Sequence, residues 1–351
     1  MTVLTVTYAF APLGRDTAGG AEQVACTLER AAVDAGMLSI VVAAAGSDTV
    51  GELLPVDVPQ GVITPAVHAE VHGRQRVLIE AVLQRQTVDL VHMHGIDYYE
   101  LLPAAPVPVL ATLHLPLSWY PPAALRPTRP GTLLHCVSAS QHSTRPLDTA
   151  FLPPIENGVP IERMMFRRWR GAYALCLGRI CEEKGFHLGV QAARRAHISA
   201  IIAGRIYPYA AHETYFARVL APLLDVHRRY VGPADYVRKR RLLAYARCLL
   251  VCSSVPETSS LVAMEALASG TPVIAFRCGA LPDIVEHGRT GYLVDSVEEM
   301  ADAIRAADEI DRSVCRRTAE ERFSERRMIA EYHALYSGIA GHVTAAVGTS
   351  V

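Results

Sequence analysis

The sequence of 351 residues lacks the features of several protein classes. It has no CxxC pair, so its eight cysteines give no paired zinc spacing. Cys136, Cys176, Cys248 and Cys252 lie in apolar runs, where thiols pack as small hydrophobic groups. A net charge of −1 argues against a general nucleic-acid binder. No run approaches about 20 apolar residues and no basic region opens the chain, so we expect neither a membrane span nor a signal peptide. We therefore predict a cytoplasmic protein with reduced cysteines and no nucleic-acid partner.

The composition that remains is that of a folded α/β protein. Half of the residues are hydrophobic, which excludes disorder, and the length suits two domains. Continuous apolar runs such as 39–43 indicate parallel strands covered on both faces by helices. Predicted strands are 2–8, 37–45, 89–94, 107–113, 133–138 and 151–155, then 172–177, 198–203, 228–231, 249–253, 272–276 and 291–294. Predicted helices are 21–35, 73–84, 185–196, 237–246, 260–268 and 297–307. The sequence thus predicts two doubly wound sheets.

A turn-rich segment at 156–171 separates the two sets of strands. We predict an N-terminal domain over 1–160, a C-terminal domain over 161–324 and a final helix at about 325–340. Residues 160–241 hold sixteen Lys or Arg against six Asp or Glu. This surplus is either a set of solvated helix faces or a surface that attracts an anion such as a nucleotide diphosphate.

Two of four candidate motifs belong to the first domain, and each follows a predicted strand, where α/β sheets bind ligands. Gly19-Gly20 leaves room for a ligand before a helix that offers free N–H groups, although a plain loop explains it equally. The chain contains no GxGxxG, which counts against a nicotinamide enzyme. His92, His94 and His114 stand at strand ends, where histidine donates hydrogen bonds or transfers protons. A metal role for the His-x-His pair lacks a third ligand, and each histidine alone could be structural. We favour His114 as the functional one.

The other two motifs belong to the second domain. Arg179 offers a planar guanidinium with paired donors, and Lys184, which opens a predicted helix, offers a point charge. Together they suit a pyrophosphate, although two unrelated surface cations would give the same pattern. Glu257 and Glu265 are eight residues apart, and we predict that both carboxylates lie on one helical face. Since phosphate repels carboxylates, these two should reach past it to hydroxyl groups. The intervening residues should present N–H groups to an anion, with Ser259 or Ser260 as N-cap; they are Thr258, Ser259, Ser260 and Leu261.

Together these residues resemble family 4 of the retaining glycosyltransferases, which have the GT-B fold. The resemblance covers nearly the whole chain. It is carried, in the family's order, by Gly19-Gly20, His114, Glu156-Asn157-Gly158-Val159, Gly178-Arg179, Lys184-Gly185, Glu257 with Glu265, 268–275, Gly279, Glu286, Gly288 and Gly291-Tyr292-Leu293-Val294. The chain departs from the family at Thr258-Ser259-Ser260, where Gly-Phe-Gly is frequent, and at Pro160, where Asp is common. These departures bear on the identity of the donor sugar more than on the fold.

The resemblance implies two Rossmann-like domains that face each other across a central cleft. The C-terminal domain would bind a nucleoside diphosphate sugar, UDP- or GDP-linked, with Arg179 and Lys184 neutralising the diphosphate in place of a metal. Glu265 would hold the ribose, Glu257 would bind the sugar hydroxyls, and residues 258–261 would touch phosphate or sugar. The N-terminal domain would bind an acceptor, with Gly19, Gly20 and His114 at the cleft and the final helix packed back on it. No cofactor is implied, and retention would proceed by front-face displacement.

Two alternatives remain from the sequence. A sugar-nucleotide epimerase or hydrolase would use the same donor site without an acceptor. A non-catalytic binding protein would keep the nucleotide site, although the joint presence of Arg179, Lys184, Glu257 and Glu265 argues against decay. The acceptor could be a glycan, a lipid-linked glycan or a small metabolite, because the basic surplus suits peripheral contact with an anionic membrane and an acidic soluble acceptor equally.

Overall fold

The computed structural model describes residues 1–15, 17, 19–59, 61–169 and 171–348, with side chains up to residue 341. Ala18, next to the glycine pair, and Arg170, in the predicted linker, lie outside the described residues. The chain forms two compact units. Unit 1 comprises Met1–Glu156 and the chain from Met328 onward, and unit 2 comprises Asn157–Arg327. No helix among the described residues combines the length and the apolar character needed to cross a bilayer.

Unit 1 contains a six-stranded parallel sheet in the order β3-β2-β1-β4-β5-β6. Strands such as β2 are buried almost throughout because helices cover both faces of a parallel sheet. Its strands are β1 (Thr2–Val6), β2 (Leu38–Ala44), β3 (Glu52–Val56), β4 (Leu90–Met93), β5 (Val109–Leu113) and β6 (Thr132–Cys136). Its helices are α1 (Gly20–Asp34), α2 (Pro65–Arg85), α3 (Ala139–Ser143) and most of α11 (Glu325–Gly348). Helix α1 shows why these segments are helical: Val24, Leu28 and Ala31 recur on the buried stripe.

Unit 2 contains a second six-stranded parallel sheet, ordered β12-β11-β10-β7-β8-β9. Its strands are β7 (Tyr173–Leu177), β8 (Ser199–Ala203), β9 (Arg228–Tyr230), β10 (Cys248–Val251), β11 (Val273–Phe276) and β12 (Gly291–Val294). Its helices are α4 (Phe186–Arg195), α5 (Ala210–Tyr215), α6 (Tyr236–Tyr245), α7 (Leu261–Ala268), α8 (Leu281–Ile284), α9 (Val297–Ala306) and α10 (Arg312–Arg322). The prediction of two doubly wound α/β sheets is confirmed.

Several element predictions were wrong in detail. Residues 151–155 form no strand; Phe151 makes a single bridge to Leu134. Strand β3 was missed because Pro55 interrupts its pattern, and β3 tolerates this residue because it is an edge strand. Helix α2 begins eight residues before the predicted start, with Pro65 in its first turn and the Thr64 side chain accepting a hydrogen bond from Val67 N. The charged helix α10 was also missed.

Each sheet has one point at which the strand order reverses, and ligands of doubly wound folds bind there, beyond the carboxyl ends of the strands. In unit 1 the point lies between β1 and β4, and in unit 2 between β7 and β10. Arg179 follows β7 by two residues, and the loop with Glu257 follows β10. The fold therefore places the second-domain motifs at the edge of the sheet where a ligand is expected.

Candidate active site

Arg179 follows β7 at the point where the strand order of unit 2 reverses. The turn that carries it is fixed by a hydrogen bond from Ile180 N to Arg205 O, 3.0 Å long. The Arg179 side chain is partly exposed, and no carboxylate of the described residues lies within ion-pairing distance of it. A guanidinium in this state has its planar donor fork available for an external anion.

Lys184 and Glu257 form an ion pair, with Nζ 2.5 Å from Oε1. The same Glu257 oxygen accepts a hydrogen bond from the Ser253 hydroxyl. Lys184 ends the short turn Glu182–Lys184, which is held to the loop after β10 by a 2.9 Å hydrogen bond from Ser254 N to Glu183 O. The side chains of Lys184 and Glu257 remain 27% and 11% exposed, so an external ligand can compete for both charges. The structure thus brings together two residues that lie 73 positions apart in sequence.

Gly279 packs directly against the backbone of Glu257. Its φ is +57°, a conformation that favours glycine, and a Cβ built there would overlap the main-chain atoms of Glu257. The next residue, Ala280, donates a 2.7 Å hydrogen bond from its N–H to Glu257 O. The position of the Glu257 carboxylate therefore requires glycine, which has no side chain, at residue 279.

We expect Gly279→Ala to lower turnover by about tenfold to a hundredfold, since displacing a positioned group by about 1 Å is enough for such losses. Gly288→Ala is the matched control, because Gly288 also has a positive φ, +77°, but a Cβ there meets no atom within 4 Å. Steady-state kinetics of both variants would measure the difference. Equal losses in the two variants would mean that backbone strain, and not the support of Glu257, is responsible.

Glu265 lies in α7, and its carboxylate forms an ion pair with Lys239 of α6, with Oε1 2.5 Å from Nζ. The two side chains are only 5% and 13% exposed. The prediction that Glu257 and Glu265 share one helical face was wrong, because α7 begins only at Leu261 and Glu257 belongs to the preceding loop. Glu265 is therefore about one turn into the helix, and each carboxylate is held by a lysine from a different element.

Residues 258–261 connect the Glu257 loop to α7. Ser260 is the N-cap residue, but its side chain makes no capping hydrogen bond, and the Ser259 hydroxyl is buried without a partner among the described residues. The first N–H groups of a helix have no acceptor within it, so this end of α7 can bind an anion. Thr258 and Leu261 flank the two serines.

His114 follows β5 in unit 1 and is buried, with Nε2 2.9 Å from His94 Nδ1. Burial, together with a smaller electrostatic effect of nearby His135, lowers the pKa of His114 to about 3. His114 is therefore a neutral hydrogen-bonding group at ordinary pH and not a proton donor. His92, by contrast, binds Tyr336 of α11 and Thr112, each at 2.7 Å, which is a structural arrangement.

The glycine pair marks the start of α1 in unit 1: Gly19 is the N-cap residue and Gly20 opens the helix. The φ of Gly19 is −88°, so no unusual backbone conformation requires glycine there. A Cβ on Gly19 would overlap the carboxylate of Glu22, so the missing side chain provides space for Glu22. The structure describes the pair within unit 1, together with His114.

Unit 1 contains an acidic cluster, not predicted from the sequence, beside a cavity of about 430 Å³. His72 is buried between two carboxylates, with Nε2 2.6 Å from Asp97 and Nδ1 2.9 Å from Glu100. The cavity is lined by Ile63, Thr64, Pro65, His68, Ala69, His72 and Glu100. Burial raises the pKa of Asp97, which lies shortly after β4. Its position just after a predicted strand was the one feature of the sequence that could have indicated this cluster.

Comparisons with known proteins agree with this arrangement. The family model described as glycosyl transferases group 1 matches residues 171–307. N-acetyl-alpha-D-glucosaminyl L-malate synthase of Bacillus anthracis is 31% identical over 115 residues, 30% of this chain and 29% of that protein. D-inositol 3-phosphate glycosyltransferase of Corynebacterium glutamicum is 43% identical over 108 residues, 30% and 25% of the two chains. The matched segments thus span under a third of these relatives.

Solved structures extend the likeness to the whole fold. AviGT4, a glycosyltransferase involved in avilamycin A biosynthesis, superposes with a TM-score of 0.68 at 20% identity over 97% of this chain and 98% of its own. Anabaena Alr3699/HepE, solved with UDP-glucose, gives a TM-score of 0.70 at 18% identity over 95% and 99%. The predicted GT-B fold and the resemblance to family 4 are confirmed. Residues 171–307 match the model of the group 1 glycosyl transferases, and the two six-stranded units have the GT-B fold.

Proposed function

We propose that this protein is a retaining glycosyltransferase that moves a sugar from a nucleoside diphosphate sugar to an acceptor. The observation that carries the proposal lies in unit 2, where the strand order of the sheet reverses. Arg179 follows one strand there and has no carboxylate partner among the described residues, and the Lys184–Glu257 ion pair involves the loop after the neighbouring strand. A free guanidinium and a lysine suit a diphosphate, and a carboxylate suits sugar hydroxyls. The UDP-glucose bound to Alr3699/HepE supports this class of donor.

When the donor binds, it replaces contacts that the residues of the site make with one another in the free protein. Arg179 and Lys184 bind the diphosphate, and the N-terminal end of α7 adds N–H groups. Lys184 turns from Glu257 to the phosphate, which leaves the Glu257 carboxylate to accept hydrogen bonds from the donor sugar. Glu265, held by Lys239, accepts from the ribose hydroxyls. Residues 258–261 line the path between these two carboxylates.

The chemical step needs no protein nucleophile. The bond between the anomeric carbon and the phosphate oxygen breaks as the acceptor oxygen attacks from the same face, and the leaving phosphate takes the acceptor proton. Arg179 and Lys184 stabilise the charge that develops on the leaving phosphate. In unit 1, neutral His114 offers a hydrogen bond to a sugar hydroxyl, and the N-terminal end of α1 at Gly19 and Gly20 offers N–H groups to a ligand.

The acceptor is assigned to unit 1. The cavity beside His72, Asp97 and Glu100 offers hydrogen-bonding groups for a polar acceptor, and it lies in the unit whose sheet reverses between β1 and β4. Malate and inositol 3-phosphate, which occur in the names of the two relatives, are small molecules that carry hydroxyl groups. We therefore propose a small hydroxylated metabolite as the first acceptor class to test.

Activity should survive treatment with EDTA, because Arg179 and Lys184 supply the positive charge that a catalytic metal would otherwise supply at the diphosphate. The measurement is initial turnover of UDP-glucose before and after dialysis against EDTA, with Mg²⁺ or Mn²⁺ added back as a control. A strict requirement for either ion would contradict the mechanism.

The function itself is tested by following UDP, GDP and ADP sugars with and without malate or inositol 3-phosphate. A transferase forms a new glycoside whose anomeric configuration, read by NMR coupling constants, matches that of the donor. Inversion would contradict the retaining mechanism. Turnover that is independent of any acceptor would favour the hydrolase or epimerase, which acts on the donor alone.

A further inference from the structure

We propose that Cys181, Glu183 and His212 of unit 2 bind one zinc-type transition-metal ion. The thiol sulphur, a carboxylate oxygen and a ring nitrogen of these residues all lie within 4.8 Å of one another. Ligands of a tetrahedral zinc ion are separated by about 3.3–3.8 Å, given metal–ligand distances of 2.0–2.3 Å. Side-chain adjustments of about 1 Å therefore complete the site, and the exposed Glu183 side chain is free to make them.

The His212 side chain gives an independent indication of a missing ligand. Its Nδ1 is buried and has no hydrogen-bond partner among the described residues. A buried polar atom without a partner costs about 1–3 kcal/mol, so such atoms usually mark an unfilled contact. The His212 ring is held edge-on against Tyr209, with centroids 5.2 Å apart, at the start of α5. That helix continues directly into a π-helical turn at Phe216–Leu220, a rare form that is frequent at functional sites.

The other two ligands belong to a well-fixed turn. Cys181 is 2% exposed and precedes the turn Glu182–Lys184, and the Glu183 carbonyl accepts the hydrogen bond from Ser254 N. Without a metal ion, the Cys181 thiol donates a 3.7 Å hydrogen bond to Arg179 O, and burial raises the thiol pKa to about 11. Zinc binding would replace that proton, because thiolate is the metal ligand.

The charges of the group select the kind of ion. A thiolate and an imidazole favour zinc-type ions over Mg²⁺ or Ca²⁺, which prefer oxygen ligands. One thiolate and one carboxylate neutralise a divalent cation, so the bound ion adds no net repulsion toward nearby Arg179. The site is separate from the proposed chemistry: the ion would brace the turn that carries Lys184, and transfer would not depend on it.

The test uses the full chain, freed of metal, with Co²⁺ as a spectroscopic probe and Zn²⁺ as its competitor. We expect one equivalent of Co²⁺ to produce a sulphur-to-cobalt charge-transfer band, which Zn²⁺ then abolishes. Cys181→Ser should remove the band, and His212→Ala should weaken binding by about a hundredfold or more, since even loss of an outer-shell contact weakens metal sites by about 10–100-fold. Cys278→Ser and His227→Ala are controls, at a partly exposed cysteine and an exposed histidine.

Glu183→Gln provides a variant that should fold normally, because the Glu183 side chain is exposed. It should also weaken Co²⁺ binding while the circular dichroism spectrum remains that of the wild type. The proposal is wrong if wild-type protein shows no sulphur-to-cobalt band, or if Cys278→Ser removes the band while Cys181→Ser keeps it. Because the readout is metal binding, this result is independent of whether the protein transfers sugars.

Discussion

Replacing Glu257 by Ala should lower turnover by about a thousandfold, while the affinity for the nucleotide changes only a few-fold. Removing a single preorganised group that contacts the reacting part of a substrate costs about 10²–10³ in kcat. The nucleotide should be retained because Glu257 is not among its ligands. In the free protein Glu257 forms an ion pair with Lys184. Its removal frees the Lys184 ammonium to bind phosphate, so the affinity for the nucleotide should not fall.

The matched control for Glu257→Ala is Glu182→Ala, which removes an exposed carboxylate from the turn that carries Lys184. It should behave as wild type in both assays. Near-normal turnover of Glu257→Ala would show that Glu257 does not bind the donor sugar in the way proposed. Parallel loss of nucleotide binding and turnover would show instead that Glu257 only maintains the shape of the loop.

Lowering the pH from 7 to 5 should destabilise unit 1 through its buried histidines. Burial lowers the pKa of His114 to about 3 and that of His135 to about 4, whereas in the unfolded chain both are near 6.5. Between these values the unfolded chain binds protons that the folded chain does not. The stabilisation is therefore complete above about pH 6.5 and is lost progressively as the pH falls, by about 2 kcal/mol per histidine at pH 5.

Hydrogen exchange of peptides that cover β4 and β6, corrected for the intrinsic effect of pH on exchange, measures this loss. The double variant His114→Gln/His135→Gln should be less stable at pH 7 but should lose about 4 kcal/mol less than wild type on acidification. His227→Gln, at an exposed position of unit 2, should leave the pH dependence unchanged. An unchanged pH dependence in the double variant would show that these two histidines do not cause it.

The alternation of apolar runs was sufficient to predict both sheets, because strands buried on both faces leave a continuous pattern. The pattern failed where other physics dominated. Strand β3 contains Pro55 and is acceptable only at an edge, a position that no local sequence reveals. Helix α10 is rich in arginine, and its buried residues, such as Cys315, are recognisable only from what packs against them.

The candidate residues were singled out one by one from the sequence, but the contacts between them were not. Lys184 and Glu257 were each singled out, yet their ion pair depends on the distance between two loops in space. Lys239 belongs to the basic surplus of residues 160–241, which suggested either solvated helix faces or a surface for an anion, and in fact it pairs with Glu265. The acidic cluster around His72 was missed because its members come from α2 and from the segment after β4. Such contacts between elements are set by tertiary packing, which sequence spacing does not encode.

The most direct test of the donor site is calorimetric titration of the purified protein with UDP, GDP and ADP, repeated with Arg179→Ala and with Arg195→Ala. Arg195 is an exposed arginine of α4 paired with Glu298, and serves as the control. We predict that one nucleotide binds at micromolar concentration, that Arg179→Ala weakens it by about tenfold to a hundredfold, and that Arg195→Ala leaves it unchanged. Failure of all three nucleotides to bind, or binding unaffected by Arg179→Ala, would contradict the assignment of a nucleotide-sugar site to unit 2.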